Sequence, residues 1–436
     1  MSFDTLGLSP ALLRALADAG YTVPTEVQTA AIPIVLAGRD LLAGAQTGTG
    51  KTAAFGLPLL QRLAADATPQ RRSRALILTP TRELAAQVND SLRTYGRHLN
   101  LRSTTVFGGV GMQPQVDALR RGVDIIVATP GRLIDHIQRG SVDLTQIKTL
   151  VLDEADRMLD MGFLPAIKRI LQKLSTDRQT LLFSATFAPE IKALAQQFMR
   201  NPAEVQATPS NSAAPRVRHL LHPVDSAKKR DLLLHLLCED SRRQTLVFSR
   251  TKHGADRVQK ILEQAGLRAA AIHGNKSQGA RTRALADFKA GKITVLVATD
   301  IAARGIDIDQ LPVVINLDLP MVAEDYVHRI GRTGRAGADG LAISLVCAEE
   351  SGQLRDIQRV IGSEIEKVEI AGFIPSQPLR MTAGGRAAGD ARPPPRGHQR
   401  RPHAGAPRSG HAAGHAGRGG SPSNNQRNPR PVSGNR

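Results

Sequence analysis

Three short stretches of this chain carry side chains whose types and spacing could do chemistry on a phosphate. The first is "AQTGTGKT", Ala45 to Thr52, which follows the apolar "DLLAG" and precedes the helix-compatible "AAFGLPLLQRLA". Between a strand and a helix, Gly48 and Gly50 let backbone N–H groups from Ala45, Gln46, Thr47, Gly48, Thr49 and Gly50 wrap a triphosphate. The helix N-terminus adds its partial positive charge. Lys51 would reach the β- and γ-phosphates, and the Thr52 hydroxyl would join a Mg²⁺ shell. The generic pattern asks for glycine at position 45, where this chain has alanine. The second stretch is "TLVLDEAD", in which Asp153 ends an apolar run and Glu154 follows. Asp153 is placed to organise the metal through water, and Glu154 to orient and polarise an attacking water. The third is "HRIGRTGR", His328 to Arg335, where three arginines and a histidine surround two glycines. So much cationic charge on so pliable a backbone calls for an anion.

These groups must be held by a scaffold, and the hydrophobic pattern says which. Continuous apolar runs recur: "ALILTP", "DIIVATP", "TLVLDE" and "QTLLFSAT" early, then "QTLVFSR", "AAAIHG", "ITVLVATD", "VVINLDLP" and "GLAISLV". Continuous rather than alternating hydrophobicity suits strands buried on both faces of a parallel sheet. Stretches with helical spacing, such as "TRELAAQVNDSLRTYGRHL" and "KHGADRVQKILEQAG", lie between them. Strand–helix alternation in two successive sets predicts an α/β protein with two doubly wound domains in tandem. Small and turn-forming residues cluster in "ATPSNSAAPRVR", residues 207 to 218, where the seam is expected.

Composition narrows the partner. The net charge is +19 over 436 residues, and from Ser376 to Arg436 there are eleven arginines, no lysine and one acid, Asp390. That segment therefore carries +10, about half of the excess. It has no strand or helix period and almost no large apolar side chain, so the expectation is a disordered tail that attracts phosphate in a salt-sensitive way. Such a charge favours a polyanionic partner. With no tryptophan, ten phenylalanines and three tyrosines, base stacking is not expected to dominate; contacts to phosphate and sugar are. The two cysteines, Cys238 and Cys347, match no metal or redox spacing. The start, "MSFDTLGLSP", has no basic n-region or apolar h-region, and no apolar run approaches about 18 residues. The expectation is a cytoplasmic protein with no membrane partner.

Taken in order, "GYTVPTEVQ", "AQTGTGKT", "PTREL", "GG", "TPGR", "DEAD", "SAT", "VFSRTK", "ATDIAARGID" and "HRIGRTGR" resemble the signature words of the DEAD-box ATP-dependent RNA helicases, of the bacterial RhlE-like type. The resemblance runs from Phe3 to about residue 372. It implies two tandem RecA-like domains with parallel sheets: a segment 1–30 that recognises adenine, an ATP-binding domain 31–207, a linker 208–217, a C-terminal helicase domain 218–372 and a tail 373–436. It implies ATP as fuel and Mg²⁺ as cofactor, with Gln28 reading the adenine edge, Phe3 stacking on the base and Asp307 taking the ribose hydroxyls. RNA contacts are implied for Pro80, Thr81, Arg82, Gly108, Gly109, Thr129, Pro130 and Arg132 in the first domain. In the second they are implied for Arg250, His273, Gly274, Gln278, Arg281 and Thr299. Asp156, Ser184 and Thr186 would couple the nucleotide site to unwinding, and Arg332 and Arg335 would act as arginine fingers. His328 and Arg329 would tie their loop to the first domain. Local unwinding of short RNA duplexes is the leading function; an ATP-gated RNA clamp uses the same motifs, and a DNA translocase shares the same core. Ribosomal precursors or the RNA-degradation machinery are compatible partners.

Overall fold

The computed structural model describes residues 2–45, 48–66, 72–206, 217–240, 243–303, 308, 311–334 and 339–379. Residues 208–216 of the expected linker, and the expected tail from residue 380 on, lie outside this set. Two sheets of seven parallel strands organise the rest. The first contains β1 (Leu41–Gly44), β2 (Ala75–Leu78), β3 (Ser103–Val106), β4 (Ile125–Ala128), β5 (Thr149–Leu152), β6 (Gln179–Ser184) and β7 (Ala203–Gln206). The second contains β8 (Val217–Pro223), β9 (Thr245–Phe248), β10 (Ala269–Ile272), β11 (Val295–Ala298), β12 (Val313–Asn316), β13 (Gly340–Val346) and β14 (Glu366–Lys367). The spatial orders are β3-β4-β2-β5-β6-β1-β7 and β10-β11-β9-β12-β13-β8-β14. Counted within each sheet, these are the same order.

Why the strands are apolar throughout is visible in where their side chains go. Leu41 and Ala43 of β1 join one core layer, whereas Leu42 faces the other. In β2, Ala75 and Ile77 take the first layer while Leu76 and Leu78 take the second. The second sheet repeats this, with Val247 on one face and Leu246 and Phe248 on the opposite one. Each fully buried Leu, Ile or Val contributes on the order of 1.5–3 kcal/mol, so both faces need a helical cover. That cover forces right-handed crossovers and leaves the carboxyl ends of all strands on one rim.

Strand order fixes which loops become neighbours on that rim. β6 lies between β1 and β5, so the turn after β6 sits between the phosphate loop and the acidic motif. Among the described residues, no helix is long and apolar enough to cross a membrane.

Candidate nucleotide and RNA site

The phosphate loop leaves β1 at Gly44 and feeds the helix Lys51–Ala65. Gly48 and Gly50 have φ of 84° and 90°, a left-handed backbone that suits glycine. Gln46 and Thr47 lie outside the described residues. Lys51 is buried at the helix start, with 6% exposure, and its Nζ has no hydrogen-bond partner among the described residues. Thr52 follows it, half-buried.

Gln28 holds this loop. It lies in the helix Glu26–Leu36, whose N-cap Thr25 forms a reciprocal capping box with it. Its Oε1 accepts the Thr25 N–H at 2.9 Å, and its Nε2 donates to the Gly50 carbonyl at 3.1 Å. A Cβ on Gly50 would sit 2.3 Å from that Nε2, so glycine is required there twice over. Phe3 is not on the cavity wall: it is 4% exposed and packs in the core with Leu6 and Leu8. The aromatics that line the cavity are Tyr21, 42% exposed, and the buried Tyr95, set edge-on to each other with ring centroids 5.9 Å apart.

The acidic motif closes the other side. The Asp153 N–H extends the ladder to the Leu78 carbonyl at 2.9 Å, which holds the side chain at the end of β5. Asp153 is 2% exposed, and its Oδ1 has no partner among the described residues. Burial pushes this carboxyl up to about 7; Lys51 pulls it down, while Glu154 and Asp156 push it further up. Glu154, with φ of 53°, is one of two non-glycine residues in the left-handed region among those described. Such a backbone costs roughly 1–3 kcal/mol, and it turns the Glu154 side chain into the cavity. Asp156 reaches back to the turn after β6: its Oδ2 accepts the N–H groups of Ala185 at 2.8 Å and Thr186 at 3.1 Å. Ser184 is fully buried in the same turn, its Oγ without a partner among the described residues.

A cavity of about 510 Å³ collects these groups: Tyr21, Gln28, Gly48, Gly50, Lys51, Thr52, Asp153 and Glu154. Arg332 of the second lobe, 5% exposed, lines it as well. A buried ammonium lacking an acceptor and a buried carboxylate oxygen lacking a donor, side by side, fit a ligand that brings phosphate to one and a divalent cation to the other. Asp153 and Thr52 also match the hard oxygen donors Mg²⁺ prefers.

The loop carrying Arg332 is anchored within its own lobe. It follows the helix Ala323–Ile330. Arg329 chelates Asp300 (Nε–Oδ1 2.6 Å, Nη2–Oδ2 2.7 Å), donates to Asn316 Oδ1 and the Asp318 carbonyl, and lies over the Phe248 ring at 4.8 Å. The expectation that Arg329 ties the loop to the first lobe is therefore corrected: its guanidinium is bound on all sides by second-lobe groups. His328 does sit at the junction, where burial first, and then Arg157, depress its imidazole to about 4, so it is neutral at ordinary pH. The tie itself is a pair that no motif signals: Arg157 Nη1 to Asp325 Oδ1 at 3.0 Å, both largely buried. Arg335 and Asp307 lie outside the described residues.

The expected RNA residues of the first lobe do converge. Thr81 and Thr129 are N-caps of the helices Arg82–Tyr95 and Pro130–Gln138, so Pro80 and Pro130 lie at their starts. Arg82 crosses the Gly108–Gly109 turn so closely that a Cβ on Gly109 would stand 1.9 Å from its Nη1. The nearest atoms to a Cβ on Gly108 would be Arg82 Nη2 at 3.6 Å and Arg132 Nη2 at 3.9 Å. Two guanidiniums over a glycine turn make a cationic seat.

In the second lobe the picture differs. Gln278 and Arg281 do not stand open toward a ligand: Gln278 Nε2 donates to Glu83 Oε1 at 2.8 Å and Arg281 Nη2 pairs with that oxygen at 3.0 Å. Arg82 Nη1 reaches Gln278 Oε1 at 3.4 Å. Glu83, inside "PTREL", thus latches the two lobes, and an acid within a basic word was the available signal. Arg250 pairs with Glu350 at 2.9 Å and stays 43% exposed. Gly274 lies beside Lys252: a Cβ there would stand 3.4 Å from Lys252 Cε, and Lys252 Nζ donates to Asn275. His273 is buried and meets Asp256 at 2.9 Å, and Thr299 is 8% exposed at the end of β11.

Comparison with known proteins follows this division. Residues 25–194 match the family described as DEAD/DEAH box helicase, and residues 228–337 match the helicase conserved C-terminal domain. The chain is 42% identical over 368 residues to the DEAD-box ATP-dependent RNA helicase CshA of Bacillus cereus, covering 84% of this chain and 70% of that one. It is 41% identical over 369 residues to the DEAD-box ATP-dependent RNA helicase RhpA of Helicobacter pylori, covering 85% and 74%. Among solved structures, S. cerevisiae Dbp5 bound to RNA and ADP BeF3 is similar at a TM-score of 0.76 and 33% identity, over 84% of this chain and 95% of that one.

Proposed function

The chain belongs to the DEAD-box family of ATP-dependent RNA helicases, and from that premise we propose how its residues couple ATP hydrolysis to the capture of RNA. It is an RNA-dependent ATPase that binds RNA across two RecA-like lobes and unwinds it. In our reading Lys51 contacts the β- and γ-phosphates of ATP, while Thr52 and Asp153 are the residues that would hold Mg²⁺. Bound Mg²⁺ would offset charge on the phosphate oxygens. Glu154 orients and polarises the attacking water. Arg332, together with Arg335, donates to the charge that develops on the terminal phosphate. Gln28 reads adenine by exchanging the Gly50 carbonyl for the base, and Asp307 takes the ribose hydroxyls.

One observation carries this reading: Arg332 of the second lobe lines the same cavity as Lys51, Asp153 and Glu154 of the first. The constellation is complete only when the lobes meet. RNA that spans Arg82, Gly108, Gly109 and Arg132 on one lobe and Arg250, Gly274 and Thr299 on the other favours the same closed form. Each ligand then strengthens binding of the other. A closed cleft that kinks one strand excludes a straight duplex, so a few base pairs separate locally. Gln278 and Arg281 serve this by latching onto Glu83, and Asp156 relays through the turn at Ser184 and Thr186. The division into 1–30, 31–207, 208–217, 218–372 and 373–436, a cytoplasmic location, the RhlE-like subtype and service to ribosomal precursors or RNA decay belong to the same reading.

The test is ATP turnover with and without RNA, in the native protein and in Glu154→Gln. RNA should stimulate the native protein, and the variant should retain ATP and RNA together without turnover. A variant that hydrolyses ATP at the native rate removes Glu154 from the chemistry.

A further inference from the structure

The cationic seat over Gly108–Gly109 has a buried support that no motif contains. Gln115 lies in the helix Met112–Arg120, just beyond that turn, and is 7% exposed. Its Nε2 donates to the Phe107 carbonyl at 3.0 Å and to the Gly111 carbonyl at 3.4 Å, one on each side of the glycine pair. Its Oε1 meets His136 Nε2 at 3.3 Å. His136 is fully buried in the helix Pro130–Gln138, and its Nδ1 is 2.8 Å from Ser141 Oγ.

Hydrogen-bond inventory sets the roles of Gln115 and of His136 Nε2. Carbonyl oxygens only accept, so the end of Gln115 that faces Phe107 and Gly111 must be the NH₂. Its other end is then the oxygen, and His136 Nε2 must carry a proton to donate to it. Burial, and then the Arg132 charge, lower the pKa of His136, which keeps the ring neutral. A neutral ring protonated at Nε2 has a bare Nδ1, which accepts from the Ser141 hydroxyl at 2.8 Å; the His136 carbonyl, 3.2 Å from that hydroxyl, already accepts the Ser141 N–H at 3.0 Å.

His136 also lies four residues after Arg132 in one helix, and therefore on the same face. Arg132 Nη1 donates to the Val110 carbonyl at 3.1 Å. The helix that opens with "TPGR" thus grips the glycine turn twice, directly through Arg132 and one helical turn later through His136 and Gln115.

We infer that Gln115 and His136 are positioning residues for RNA capture: they lock the Gly108–Gly109 turn to the helix of Arg132, so that both present their donors to one stretch of RNA backbone. This rests on the proposal that the turn and Arg132 contact RNA. Loss of the lock frees the turn, and RNA must then order it on binding. The cost appears in RNA affinity and leaves the ATP cavity untouched.

The experiment measures the RNA concentration that half-saturates ATPase stimulation, the turnover at saturating RNA, and the melting temperature. The variants are His136→Leu, His136→Gln, Gln115→Leu, the Gln115→Leu/His136→Leu double variant and Arg132→Ala. His136→Leu should raise the half-saturating RNA concentration about ten-fold, the order expected for a broken buried hydrogen-bond chain, with turnover at saturation within about two-fold. His136→Gln, whose amide N–H can replace Nε2–H, should restore most of the RNA affinity. The double variant should be no worse than the worse single one, because the residues act as a unit. A folded His136→Leu protein with native RNA dependence overturns the inference, as does His136→Gln failing together with His136→Leu. If Arg132→Ala also leaves RNA dependence native, the underlying RNA assignment has failed; if Arg132→Ala weakens RNA while His136→Leu does not, only the lock has failed.

Discussion

Replacing Asp153 by asparagine should make the ligand-free protein more stable, and the size of the gain can be worked out. Burial moves the Asp153 carboxyl from 3.8 to about 7, so holding it ionised in the fold costs on the order of 4 kcal/mol at pH 8. The sign follows from linkage: a group whose folded pKa is raised gives up stability as pH climbs from its unfolded value through its folded one. Asparagine is neutral in both states and avoids that loss. Its advantage should be about 4 kcal/mol at pH 8 and about 2 kcal/mol at pH 5, where the native carboxyl is itself protonated in the fold. For a lobe of this size the pH 8 gain corresponds to a rise on the order of 10 °C in its melting temperature. The assay is thermal denaturation of both proteins without nucleotide or Mg²⁺ at the two pH values, followed by the same scans with Mg·ATP. Added Mg·ATP should stabilise the native protein and leave the variant unchanged. A variant no more stable than native at pH 8, or one whose gain is equal at both pH values, would show that Asp153 is not held against its charge.

Three further outcomes follow from the same geometry. Arg332→Ala should lower turnover by about 10³ with little change in ATP affinity; native turnover would remove its finger role. Glu83→Ala strands Arg281, buried at the lobe junction, so RNA should tighten ATP binding at least about ten-fold less than it does in the native protein. Equal coupling would make the Glu83 latch irrelevant to closure. Removal of residues 376–436 deletes eleven arginines, and the slope of log affinity against log salt should flatten by about 0.7 for each phosphate the segment had neutralised. ATPase activity at saturating RNA should persist, and an unaltered slope would make the segment a bystander.

How much of this could be read from the residue string depends on how local each signal is. The central strands were legible because "LVLD" or "VLVATD" is apolar on both faces, and only a doubly covered strand needs that. The strands β3, "STTV", and β7, "AEVQ", were not, because they edge the sheet and are only partly buried. The short β14, "EK", is wholly exposed. Lys51, Asp153, Glu154 and Arg332 were legible because phosphate chemistry constrains residue type tightly, and all four line one cavity. Pairings across the lobes were not. Arg157 finds Asp325 at a separation of 168 positions, and Gln278 finds Glu83 at 195, distances over which spacing carries no information. Phe3 is less legible for a related reason: an isolated aromatic packs or stacks equally well, and here it lies buried with Leu6 and Leu8.

Two frames of identical strand order carry rims with different sets of side chains. One rim sets a buried ammonium, Lys51, behind the glycines of its first turn; the other brings Arg332 to the same cavity. What distinguishes the lobes is therefore confined to the segments after each strand, while the stacked aliphatic layers beneath are interchangeable in kind. Volume-changing substitutions in those layers, at Val127 or Val297 for instance, should reduce the yield of folded protein yet leave nucleotide preference as it was. Variation at the rims can retune recognition without disturbing the chassis, so one strand order, used twice, presents two different sets of side chains to one cavity.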